Sequence, residues 1–386
     1  MQKSEIKNKI FTALDNSDFD AFIVTGYDNI HYLTGAELPF APYRNDQHLF
    51  FVYQKGGEAA LVCPSEWVKT AIYTGWVRQV IGYNASSACM QDALAKVKAL
   101  VSGTGKVGID LSYTKSDVYE ALKAALPNAE FHHCDCLLRD LREVKCDTEK
   151  KLLENIAMLV DHGLNGAIHH VTVDRRTSAL TLAEEFRVHT LERGADIVGY
   201  NGSTTVLTGQ GNDHYHTHTG HYGYAETVDL LPAQMVRMVV PASKDGYWAD
   251  SVRIMTMGDM YEDQEQAYGW LVALREAALA AVKPGNTAAD VYKAMSDCAK
   301  KNNIPLQDQC DLGHGIGSAL YEAPYINPCD QTTLKKDMVL VIAPVVKAEN
   351  GLLWIQKDTV EVTEDGCKII GWYKDWREPY IPIASI

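Results

Sequence analysis

The sequence predicts a two-domain α/β (α+β) protein, and three observations carry that prediction. The chain has 386 residues, enough for two domains and a sizeable core. Short strand-like runs alternate with helical segments up to about residue 140. At Cys146–Lys151, CDTEKK, the composition shifts, and longer amphipathic helices and a hairpin follow. The expected boundaries are 1–145 and 146–386.

In the first domain, residues 5–16 read as a helix. Ala21–Thr25, Ile30–Thr34, Leu49–Tyr53 and Ala59–Cys63 read as strands, with turns at Asn29, Gly35 and Gly56-Gly57. Trp67–Tyr73 and Met90–Val101 read as helices and Val107–Asp110 as a short strand. The glycine-rich Ser102–Gly108 lacks the Gly-Lys-Ser/Thr ending of a phosphate loop and reads as a turn into that strand. His132-His133-Cys134-Asp135-Cys136 matches no common zinc spacing and reads as a strand end running into a helix.

In the second domain, Asp147 or Thr148 caps a helix reaching about His170, and Thr177–Arg193 forms another. Met235–Gly258 reads as two strands around the turn Lys244-Asp245-Gly246. Met235, Val236, Met238, Val239 and Val240 make its first arm apolar. Asp250 lies in the second arm, with Trp248 two places earlier on the same face. A carboxylate inside an apolar hairpin is costly unless something pairs with it, which marks the hairpin as a place to look for a site. Helices follow near Tyr261–Val282 and Ala288–Asn302, separated by Pro284-Gly285, and strands then return to Gly371.

Bulk properties narrow the function. The formal net charge is -14, with no long basic run, which argues against nucleic-acid or anionic-membrane partners. The nine cysteines are odd in number and irregularly spaced, which fits a reducing compartment better than a disulfide framework. No signal peptide or membrane-length apolar run is evident, so a cytoplasmic protein is expected.

Two constellations stand out. His214, His216 and His218 alternate, with His221 close behind. On a strand the first three share a face, where they suit metal binding or acid–base chemistry near neutral pH. Gly313-His314-Gly315-Ile316-Gly317 is a glycine-flanked histidine loop that lets backbone approach a ligand closely.

The hairpin, Leu312–Tyr325 (LGHGIGSALYEAPY), Met338–Pro344 (MVLVIAP) and Gln356–Ile370 together resemble the creatinase, aminopeptidase P and methionine aminopeptidase superfamily. The resemblance implies a pita-bread catalytic domain behind a smaller creatinase-like α/β domain. Most members hold metal with two Asp, one His and two Glu. Carried over, those positions fall on Val239, Asp250, His314, Ala343 and Lys357, so three of the five ligands are gone. Lys357 then places an ammonium where a ligand is expected, facing Asp250. His216 falls on the proton-transferring histidine of creatinase, with His214, His218 and His221 as alternatives. Tyr321 stands where metal-dependent relatives carry a second histidine. Arg44 lies in a loop similar to the one from which creatinase's neighbouring subunit holds the substrate carboxylate.

The resemblance implies a metal-independent hydrolase of a non-peptide C–N bond. Its substrate would be a small carboxylate-bearing guanidino, amidine or cyclic amidine compound, such as creatine or ectoine. The catalytic candidates are His216, His314, Lys357, Asp250 and Tyr321. The substrate-binding candidates are Arg44, His218, His221, Glu322 and Trp248. No metal or cofactor is expected in this reading, and a homodimer acting on a small molecule is. Two alternatives stay open: a metal-dependent Xaa-Pro dipeptidase-like peptidase or lyase with its site relocated to the histidine cluster, and a non-catalytic binding module.

Overall fold

The computed structural model describes residues 3–38, 41, 44, 46–86, 89–102, 104–173, 177–199, 205–208, 235–256, 258–308, 310–347, 353–371 and 377–379. The chain divides into two units, Met1–Arg142 and Glu143–Ile386.

The first unit is built on a six-stranded mixed sheet. Its strand order is Gln79–Tyr83, Ala59–Pro64, Phe50–Gln54, Ala21–Val24, Thr104–Ile109 and Asn128–His133. Ala93 and Val97 of one helix, and Val118 and Leu122 of another, pack on Ile23, Val52 and Ile109. The i, i+4 spacing of each pair sets one apolar stripe against the sheet. Helix Ser4–Asn16 buries Ile6, Ile10 and Leu14 in the same manner, at about 1.5–3 kcal/mol for each such side chain.

One element differs in kind from the sequence reading. Residues Ile30–Thr34 belong to a helix, Tyr27–Thr34, rather than a strand. Gly35 ends it in the left-handed region, φ 65°, with its N–H donating to the His31 carbonyl. A side chain there would meet the Trp76 ring at 2.2 Å. The glycine is a helix stop of the left-handed kind, not a strand turn.

In the second unit, helix Asp147–Val173 packs against helix Ala179–Glu192. Helices Glu262–Ala281 and Ala288–Asn302 form another pair. Thr287 caps the last of these, exchanging hydrogen bonds with Asp290 in a capping box. The central hairpin turns at Asp245 (φ 52°) and Gly246 (φ 82°), both left-handed as a tight primed turn requires. Its arms keep one register, with Ala242 opposite Ala249 and Val239 opposite Val252.

A five-stranded antiparallel sheet follows, in the order Glu322–Tyr325, Gly313–Gly315, Val339–Ile342, Asp358–Val362 and Cys367–Ile369. An isolated bridge between Val252 and Lys357 joins the hairpin to this sheet. That bridge and the bond from the Trp248 N–H to the Gly317 carbonyl, 2.9 Å, bring the hairpin, the glycine loop and the last long strand to one place. Among the described residues, no helix is long and apolar enough to cross a membrane.

Candidate functional site

At that meeting point the Lys357 ammonium lies 2.5 Å from Asp250 Oδ2, and both side chains are about 2% exposed. The backbone fixes each partner. The Lys357 N–H donates to the Val252 carbonyl at 3.2 Å. The Lys357 carbonyl accepts from Arg253 Nη1, and Thr359 Oγ1 donates to the Asp250 carbonyl at 3.4 Å.

His314 completes the cluster. Its Nδ1–H donates to the Gly315 carbonyl at 2.8 Å, which turns Nε2 toward Asp250 Oδ2, 3.3 Å away. Nε2 makes no hydrogen bond of its own there. Burial alone would raise the Asp250 carboxyl. The Lys357 ammonium and His314 outweigh burial and hold it well below the usual carboxylate range.

The glycines of the loop are dictated by crowding. A side chain at Gly313, φ 151°, would meet the Val341 carbonyl at 2.2 Å, and one at Gly315 would meet the Ala323 carbonyl at 2.3 Å. Only bare backbone lets His314 sit this deep. Tyr321 stands at the open side, 38% exposed, with its ring 4.2 Å from that of His314. Its hydroxyl is 3.5 Å from Lys357 Nζ.

The structure thus brings together Asp250, His314, Lys357 and Tyr321 of the residues singled out from sequence. Glu322 is committed to holding the loop. It pairs with Lys145 at 3.2 Å and accepts from the Ala319 N–H at 3.0 Å. Trp248 ties the hairpin to the loop through its backbone. Arg44 belongs to the first unit, where its fork donates to both Asp46 oxygens at 3.0 Å. His214, His216, His218 and His221 lie outside the described residues.

Sequence reasoning passed over three charged residues in apolar strands or helices. Arg253 and Arg275 share Asp358, at 3.0 and 2.5 Å, directly behind Lys357. Arg237 is buried in the first arm of the hairpin at 2% exposure. The cue that marked Asp250, a charge inside an apolar strand, was equally present at Arg237 and Arg253.

Val239 and Ala343 offer hydrocarbon only, and the Asp250 oxygen nearest Lys357 is engaged by its ammonium. Among the described residues, no group of three or more His, Cys, Asp or Glu is placed to hold a metal ion. These residues do not fit the five-ligand centre that the resemblance implies.

Comparison with known proteins places the fold and redirects the function. The model of "Metallopeptidase family M24" matches residues 151–367, and that of the "Creatinase/Prolidase N-terminal domain" matches residues 7–144. An Xaa-Pro dipeptidase of Pyrococcus furiosus is 26% identical over 71% of this chain and 75% of its own length. An Xaa-Pro dipeptidase of Pyrococcus horikoshii is 23% identical over 95% of this chain and 96% of its own. The crystal structure of an X-Pro aminopeptidase from Thermotoga maritima superposes with a TM-score of 0.82 at 16% identity, covering 97% of this chain and 99% of that one.

These relatives are named for peptide-bond hydrolysis. They overturn the expectation of a non-peptide C–N hydrolase, and with it the creatinase-like and metal-independent labels. The loss of ligands does not by itself signal a change of bond type: the likeness along nearly the whole chain is to a dipeptidase. With its pita-bread second unit and its Creatinase/Prolidase first domain, the chain belongs to Metallopeptidase family M24.

Proposed function

We propose that this chain is a peptide-bond hydrolase of the Xaa-Pro dipeptidase kind, acting on short peptides with a free carboxylate. The supporting observation is the likeness to an Xaa-Pro dipeptidase over 95% of this chain and 96% of the relative. The site contributes donors suited to a substrate oxygen. The Lys357 ammonium, fixed by Asp250, and the half-exposed Tyr321 hydroxyl stand 3.5 Å apart at its open side. Because Val239, Ala343 and Lys357 cannot ligate metal, a metal centre in this reading draws on other donors. The sequence supplies His214, His216, His218 and His221. The reading carries with it a cytoplasmic location and a homodimer.

The test is proline release from Ala-Pro and Gly-Pro, with Ala-Ala as control, by purified protein with and without added manganese, cobalt or zinc. Cleavage of the proline dipeptides faster than Ala-Ala in at least one condition is the expected result. No cleavage in any condition would sink the reading.

One observation favours a second reading, a peptide-binding module without turnover. A buried ion pair fills the place where the superfamily's ligands are expected. Stabilisation of the protein by uncleaved dipeptide would select this reading.

A further inference from the structure

The first unit carries a cavity with fixed aromatic walls and a charged rim. It encloses about 290 Å³ between helix Ser4–Asn16, the strand Phe50–Gln54 with the turn after it, and the segment leading into Gln79–Tyr83. That volume lies at the small end of ligand pockets, roughly 300–1,000 Å³.

Helix periodicity builds one wall. Lys3, Lys7 and Phe11 fall four residues apart, so they share a stripe beside the buried Ile6, Ile10 and Leu14. The Lys7 ammonium lies 5.9 Å from the centre of the Phe11 ring, and the Lys3 ammonium 5.9 Å from that of Trp76. The other two rings are anchored. Tyr53 meets Phe11 edge to face at 5.2 Å, and its hydroxyl donates to Asp15 Oδ1 at 2.5 Å. The Trp76 indole donates to the Leu33 carbonyl at 3.0 Å and packs against Gly35. Rings already fixed lose little freedom when a ligand packs on them.

Arg78 and Glu58 complete the lining with Lys7. Among the described residues, neither Lys7 nor Arg78 has a carboxylate within ion-pair range. The rim is therefore a local excess of positive charge on a chain of net charge -14.

We propose that this cavity binds a small single-ring aromatic carboxylate, its ring against Phe11, Tyr53 and Trp76 and its carboxylate between Lys7 and Arg78. Edge-to-face and offset contacts recognise the ring. The guanidinium fork suits a carboxylate bidentately. Glu58 on the same rim disfavours a doubly charged phosphate ester. The lining belongs to the first unit alone, so the site stands apart from the peptidase reading. Lys7 and Arg78 are exposed, and salt screens their attraction for the ligand.

The probes are 3-phenylpropionate, its amide, propionate and phenyl phosphate, titrated into the full chain by calorimetry at low salt. The acid should bind at least tenfold more tightly than the amide or propionate, and more tightly than phenyl phosphate. Raising sodium chloride to 0.5 M, about a 4 Å Debye length, should weaken the acid and leave the amide unchanged. Lys7→Gln combined with Arg78→Gln should bring the acid down to the level of the amide without lowering the melting temperature. Phe11→Leu should weaken acid and amide alike, so the ratio between them survives. The inference is overturned if the wild type binds no aromatic probe or does not separate acid from amide. It is also overturned if the double variant keeps the wild-type affinity for the acid, which would place the binding elsewhere, or if propionate binds as tightly as 3-phenylpropionate. Tighter binding of phenyl phosphate would overturn the carboxylate assignment.

Discussion

Two buried aspartates, one in each unit, solve the same problem in opposite ways. Asp110 is fully buried in the first unit and, among the described residues, has no cation in hydrogen-bond contact. It accepts from the Thr25 and Gly26 N–H groups, both at 2.8 Å, and from Asn29 Nδ2 at 3.1 Å. Burial raises its carboxyl, and those hydrogen bonds offset the rise only in part. Asp250, equally buried, faces a full charge on Lys357 and lies well below the usual range. Dipoles from backbone and amide fix a loop and leave the carboxylate a structural element. A buried ammonium beside a half-exposed phenol, at the meeting point of three segments, makes a site instead.

The largest effect expected from this contrast is at Lys357. Lys357→Met should lower stability by roughly 3–5 kcal/mol, because it removes the ammonium that offsets the burial of Asp250 and leaves His314 as the remaining neighbour of its carboxylate. Combining it with Asp250→Asn should recover most of that loss, since the orphaned charge is gone. Urea unfolding of the wild type, both single variants and the double variant closes a double-mutant cycle. Strict additivity would show that the 2.5 Å contact carries no coupling and would end the comparison.

Asp110→Asn should cost less, about 1–3 kcal/mol. Its amide can replace one oxygen, but the other end would point N–H at N–H, leaving either Thr25 or Gly26 without an acceptor. Dipeptide cleavage or binding should be unchanged. A loss exceeding that of Lys357→Met would mean that the dipolar cradle, not the ion pair, is the costlier one to break.

How far the sequence reveals these arrangements depends on how local their causes are. The hairpin turn was legible because Asp245-Gly246 is a two-residue signal, and the start of helix Ala288–Asn302 rests on a capping box spanning four residues. The strand assigned to Ile30–Thr34 failed because Gly35 serves as a turn or a helix stop, and only the packing of Trp76 against it decides. The cluster of Asp250, His314, Lys357 and Tyr321 was legible only through resemblance, since its members lie up to 107 residues apart. Lys145 and Glu322 are 177 residues apart, and no periodicity could pair them. Arg237 was hidden differently: a single charge in an apolar strand reads as an exposed face until its burial is known.

The smallest expected effect is the pH response, and it sharpens the contrast by sign. The native carboxyl of Asp250 is lowered, so its contribution is complete above the unfolded value of about 3.9 and drains as pH falls through the lower native value. The native carboxyl of Asp110 is raised, so the folded state binds the proton first. As pH falls through that raised value toward about 3.9, the first unit gains stability from this group. Hydrogen exchange resolved by unit, followed from pH 7 downward, reads both. Asp110→Asn should remove the acid-side gain from the first unit without moving the second, while Asp250→Asn should remove the strongly acid loss from the second. A wild-type first unit that weakens through the window where Asp110 protonates, with Asp110→Asn following the same curve, would show that the cradle does not set its titration.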